Sequence, residues 1–159
     1  MKMRILLVLA ALLPSAVVAQ DSLAARGHRL MGFDQAKTQH RFELFLDGGG
    51  IDVRARDAGD RESMAEVRMH LNHLPTMFGA GDFSTPMGVH DQVVPGTKEM
   101  AALRDRIRYR YSETPRGGRV DIIATDPAAI AAIHRFLRFQ IEDHKTGDDP
   151  TPRARPSGR

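Results

Sequence analysis

The chain has 159 residues, seven histidines, no cysteine, no tryptophan and a formal net charge of +3. Without cysteine there is no disulfide framework, thiolate metal site, c-type haem attachment or cysteine nucleophile, so folding rests on a hydrophobic core. That length suits one domain rather than two, and with Lys2, Arg4, Arg153, Arg155 and Arg159 at the ends, no basic stripe with interleaved aromatics marks a nucleic-acid partner.

Met1-Lys2-Met3-Arg4 precedes an apolar run from Ile5 to Val18, and Val17-Val18-Ala19 supplies small residues before Gln20-Asp21. This pattern predicts a signal peptide over residues 1–19, because the run is shorter than the roughly 20 residues needed to span a bilayer. Export to the periplasm or medium follows, with no membrane contact after cleavage. Removing Lys2 and Arg4 also lowers the apparent basic charge.

Residues 20–37 form an N-terminal segment with a short helix expected from Ser22 to Leu30. Gln39 to Leu46 reads as a strand, Asp47-Gly48-Gly49-Gly50 as a turn, and Ile51 to Arg56 as a second strand. Met64, Val67, Leu71, Leu74 and Phe78 then recur at helical spacing up to Gly79. The order returns in the second half. Ile107 to Tyr111 is a strand, Pro115 to Gly118 a turn, Val120 to Thr125 a strand, and Asp126-Pro127 an N-cap with proline at the first helical position. Ile130, Ile133, Leu137 and Ile141 mark the buried face of the helix that follows.

The expected fold class is therefore α+β: two ββα units forming a four-stranded antiparallel sheet with two main helices on one face. The domain covers residues 38–145, in halves 38–80 and 107–145. They are joined by a loop over 81–97, long enough to suggest function, and a short helix over Lys98 to Arg106. Matching Gly49-Gly50 with Gly117-Gly118 suggests an internal repeat shifted by one residue at the glycines. The tail 146–159, rich in proline, aspartate and arginine, is expected to be disordered.

Three stretches carry a family likeness: Met31-Gly32-Phe33-Asp34-Gln35; Met77 to Phe83 with Val89-His90-Asp91; and Ile133 to Ile141 through His144-Lys145-Thr146-Gly147-Asp148. On these the chain resembles a family of small exported bacterial proteins of unestablished function, often labelled aspartate carbamoyltransferase automatically. Carbamoyl transfer of that kind uses a much longer chain with a Ser-Thr-Arg-Thr phosphate loop, and Ser84-Thr85-Pro86 lacks the arginine. The resemblance implies export and a single domain, but neither that activity nor any catalytic residue.

The histidines direct the remaining chemistry. His70, His73 and Met77, with Glu66, fall on one ridge of the first helix, where imidazole and thioether suit copper, or imidazole alone suits zinc. His134 flanks the second helix and is expected to approach His70 across a pseudo-twofold axis. His144 falls within the apolar stripe of its helix and needs a partner or ligand. His90-Asp91 in the long loop supplies a further ligand or a general base, whereas His40 and His28 are expected at the surface. No phosphate loop, nucleophile elbow, zinc-protease helix or dinucleotide fingerprint is present in the sequence. The chain is thus expected to be an exported protein, carrying no recognised catalytic motif, that binds copper or zinc through histidine in the periplasm. The alternative is a module holding a protein partner or small ligand through loop 81–97 and the sheet face.

Overall fold

The computed structural model describes residues 15–156, with side chains from residue 23 onward. The leader expected over residues 1–19 falls outside the described residues as far as residue 14. The remainder of it opens α1 (Ser15–Met31), which runs past the expected cleavage point and takes in the predicted short helix.

Two hairpins follow from alternating sequence. In the first, β1 (Thr38–Phe45) and β2 (Gly48–Ala55) close on the two-residue turn Leu46-Asp47. The second pairs β3 (Ile107–Thr114) with β4 (Gly117–Ala124) around Pro115-Arg116. Both glycine runs therefore lie inside strands rather than in the four-residue turns predicted. Gly48 adopts φ 131°, and a β-carbon there would collide with the Ile122 carbonyl of the neighbouring strand. Close backbone approach, rather than turning, is what requires glycine at that position.

The strands form an antiparallel sheet in the order β1-β2-β4-β3. The central pairing of β2 with β4 is centred on Ile51↔Val120. In this register Gly48-Gly49 stands in the place equivalent to Gly117-Gly118, which removes the one-residue shift read from the sequence. Asp52 and Asp121 also take equivalent places.

Each main helix starts at an aspartate. Asp60 accepts the Ser63 amide at the head of α2 (Arg61–Gly79), and Asp126 accepts the amides of Ala128 and Ala129 at the head of α5 (Pro127–Asp143). Caps of this type contribute about 1 kcal/mol each. The helices lie on one face of the sheet, and their placement is crossed: α2 sits chiefly on β3 and β4, while α5 sits chiefly on β1 and β2. Each helix thus covers the hairpin of the other half. Between them Phe78, Phe83 and Phe136 pack at 4.6 to 6.1 Å between ring centroids. Each such buried side chain stabilises the fold by about 2 kcal/mol.

Two segments differ from expectation. Loop 81–97 contains α3 (Ser84–His90), which packs against α1, and Gly96 turns the chain into α4 (Thr97–Ala102) and a 3-10 turn over Arg104–Arg106. Phe83, Val89 and Val94 are buried, and these apolar anchors shape what polar composition made look like open loop. The tail is likewise docked rather than disordered as far as Arg155. Asp148 accepts the Phe42 amide, Arg153 exchanges backbone hydrogen bonds with Leu44 and Leu46, and the Arg155 guanidinium lies 4.4 Å from the Phe45 ring centroid. The physical reason is the free edge of β1, whose exposed amides and carbonyls the tail satisfies.

Candidate functional site

Four histidines from four separate parts of the chain meet on one side of the core. Strand alternation turns His40 of β1 toward the helices beside Phe42. His70 comes from the middle of α2, His90 is the last residue of α3, and His144 caps α5. Together with Met31, Leu74, Phe78 and Thr85 they line a predominantly apolar cavity of about 50 Å³. Such a space holds roughly three or four water-sized groups.

The rings form a continuous array. His40 stacks on His144 at 4.9 Å with 19° between planes, and His144 meets His90 edge-on at 5.0 Å. Phe33 lies 5.7 Å from His40 and 5.5 Å from His70, joining the two ends. Among the described residues, the rings of His40, His70 and His144 make no hydrogen bond to protein, whereas those of His90 and His134 do.

Burial dominates their electrostatics. It lowers His40 and His70 to about 4 and His144 to about 3, with neighbouring imidazoles adding to the effect in each case. All three are therefore neutral at pH 7, presenting one N–H donor and one nitrogen lone pair apiece.

His90 is held differently. Its Nδ1 lies 2.6 Å from Asp143 Oδ2 and its Nε2 lies 3.0 Å from Gln140 Oε1, while Gln140 Nε2 has no partner among the described residues. Two proton arrangements fit these contacts. An imidazolium donates to both oxygens, or a neutral ring donates to Asp143 and accepts from a Gln140 amide turned over. In either case His90 pins α3 to α5 at the cavity wall.

The residues expected to hold a metal are not drawn together. His70 enters the cavity, His73 is exposed, and Met77 packs partly buried against the core. His134 lies 2.8 Å from the Phe45 carbonyl and 3.1 Å from that of Gly48, so its Nε2 donates to the β1–β2 turn. Phe45 and Gly48 pair with each other five strand residues from the His40 row, about 16 Å away, and the structure does not bring His134 to His70. Among the described residues no group of three or more histidine, aspartate or glutamate side chains is arranged to hold a metal ion. Asp91 does not support His90 either: it is exposed, caps α3 at φ 54°, and leaves the pairing to Asp143. His40, expected at the surface, is a half-buried member of the array.

Sequence reasoning missed His40, Asp143 and Gln140. The alternation His40-x-Phe42-x-Leu44 was the available signal for the first. Nothing local announced that Asp143 would meet a residue 53 positions earlier.

Fold and cavity together define an α+β domain with a four-stranded antiparallel sheet and a histidine-lined apolar chamber. Comparison with protein-family models, with curated proteins and with solved structures gives no match to this chain, and so nothing that bears on its family likeness. Among the described residues no helix is long and apolar enough to cross a membrane.

Proposed function

We propose that this chain is an exported, non-catalytic module that binds a small neutral molecule in the histidine-lined cavity. The ligand places a compact apolar end among Phe42, Leu74 and Phe78 and a hydrogen-bonding group among the imidazoles of His40, His70 and His144. The observation that carries this reading is the convergence of these three rings, from three distant elements, without protein hydrogen-bond partners. Each of these rings is partly rather than fully buried, so its nitrogens stay within reach of a ligand or ordered water that supplies the hydrogen bond the protein does not. The residues that line the chamber include Thr85, Pro86, Val89 and His90, so the segment 81–97 takes part. The sheet contributes its helix-facing side rather than its open one. The leader-like N-terminus supports export.

A second reading, copper or zinc binding, is favoured by one observation: the three imidazoles are neutral at pH 7, the form that ligates metal. It requires the rings to swing toward a common centre.

Ligand-observed NMR against a set of small neutral compounds, repeated on Leu74→Phe to fill the chamber, tests the proposal. Binding that the filled variant loses supports it. Binding that persists unchanged in a folded Leu74→Phe protein, or no binding to the native protein, refutes it. Stoichiometric zinc or copper uptake abolished by His144→Phe would instead establish the second reading.

A further inference from the structure

The opposite face of the sheet carries a second arrangement that the cavity does not explain. Alternation along the strands places Arg41, Glu43 and Phe45 of β1, Gly50, Asp52 and Arg54 of β2, Arg119 and Asp121 of β4, and Arg108 and Arg110 of β3 on this outer side. The tail arginines Arg153 and Arg155 cover the end beside Phe45. What remains is an open polar groove of about 600 Å³, bounded by Arg41, Arg54, Arg110 and Arg119 with Asp52 between them. Its volume is that of an ordinary small-ligand pocket.

Asp52 is the unusual member. In register it stands between Arg41 on β1 and Arg119 on β4, yet both guanidiniums turn elsewhere. Arg41 pairs with Glu43 at 3.1 Å, and Arg119 reaches Glu43 at 2.6 Å and Asp121 at 2.9 Å. Arg54 spends Nε and Nη2 on the side-chain oxygen of Gln39. Among the described residues Asp52 is left with no ion pair or hydrogen bond, half-buried, and burial pushes its carboxyl up.

The arginines around it remain open to solvent: the side chains of Arg41 and Arg110 are 53% and 55% exposed. Each guanidinium has five N–H donors and uses few of them here. Arg41 and Arg110 stand three strand spacings apart and two residues out of line, about 16 Å between backbones. Exposed guanidiniums on either side of Asp52 suit a short chain with an anionic group at each end. Of the two carboxylates that line the groove, Asp121 is paired with Arg110, Arg119 and Arg155, and Asp52 is the one left without a partner among the described residues.

We infer that the outer groove binds a small dicarboxylate bearing a central hydroxyl, its carboxylates held by Arg41, Arg54 and Arg110 and its hydroxyl donating to Asp52. Arginine forks match carboxylates geometrically, and the hydroxyl supplies the hydrogen bond that Asp52 lacks. A ligand without it sets a carboxylate near an unrelieved acid.

Isothermal titration of the purified protein with L-malate and with succinate, at pH 7 and low salt, tests this. Malate is expected to bind at least about tenfold more tightly than succinate, the discrimination of a polar site against an analogue lacking its hydroxyl. Asp52→Ala is expected to erase that difference, and Arg110→Gln to weaken both acids. Met69→Ala, at an exposed position of α2 outside both sites, leaves both affinities unchanged. No malate binding at millimolar concentration, equal affinity for the two acids, or a preference that survives in a folded Asp52→Ala protein overturns the inference. Should Asp52→Ala fail to fold, the comparison of the two acids on the native protein decides the matter.

Discussion

The guanidinium of Arg119 crosses over Gly50 to reach Glu43, and a β-carbon at position 50 would overlap it. Arg119 is 6% exposed and lies between Glu43 and Asp121, both buried. Burial works against charge on these two carboxyls. The arginines around them, Arg119 above all for Glu43 and Arg110 with Arg119 for Asp121, more than offset it and hold both below the ordinary carboxylate range. Gly50→Ala is accordingly expected to destabilise the protein by about 2 kcal/mol through displacement of that side chain. Arg119→Met, which leaves buried carboxylates short of a partner, is expected to cost about 3 kcal/mol. Urea denaturation at pH 7 measures both, and a loss below about 0.5 kcal/mol for Gly50→Ala would mean that Arg119 moves aside freely.

Stability is expected to fall as pH drops below about 6.5. In the unfolded chain His40, His70 and His144 take up protons near that pH, whereas in the folded protein they resist protonation to about 4, 4 and 3. The unfolded state therefore binds more protons across this window, and each imidazole removes up to about 1.4 kcal/mol per pH unit. Urea midpoints from pH 8 to pH 4.5 should decline along this course. His144→Phe should flatten the slope, and a native protein whose midpoint is level between pH 6.5 and 5 would contradict the enclosure of these rings.

Truncation after Asp149 removes Arg153 and Arg155 while keeping Asp148. Loss of the ion pairs to Glu43, Asp47 and Asp121 is expected to lower stability by about 1–3 kcal/mol. Hydrogen exchange gives a sharper readout. The Leu46 amide, which donates to Arg153, should lose protection, while the Phe42 amide, which donates to Asp148, should retain it. Equal protection of Leu46 in both proteins would show that the tail does not cover the strand edge.

His90→Ala deletes the link from α3 to Asp143 and leaves Gln140 without its ring partner. A cost of about 2 kcal/mol is expected, concentrated on α3. Limited proteolysis should find new cleavage between Gly81 and Gly96, with Asp143→Asn intermediate. An unchanged digestion pattern would remove His90 as the pin of that helix.

Much of the architecture was legible because its causes are local. Alternation in Gln39 to Leu46 and Val120 to Thr125 marked strands, the three-four spacing from Met64 to Phe78 marked a helix, and Asp126-Pro127 marked a helix start to the residue. The glycine runs misled because composition shows that a β-carbon is absent without showing what occupies its place: at Gly48 a neighbouring carbonyl, at Gly50 an arginine from another strand. The tail misled for a related reason. Its order comes from an unpaired strand edge and from Phe45 and Asp121, none of which is near it in sequence.

By itself the sequence determined the two hairpins and two main helices, their α+β class, the exclusion of thiol chemistry and the candidate status of its histidines, since propensity, periodicity and residue chemistry act over a few positions. Only the tertiary structure decided which histidines matter together. Helical angle placed His70 beside His73 and Met77, but the crossed packing of α2 and α5 turned it instead toward His40 and His144. It also gave His134 a backbone partner, and Asp143 rather than Asp91 to His90. Proximity between residues far apart in the chain is set by how the elements pack, and no local pattern encodes it.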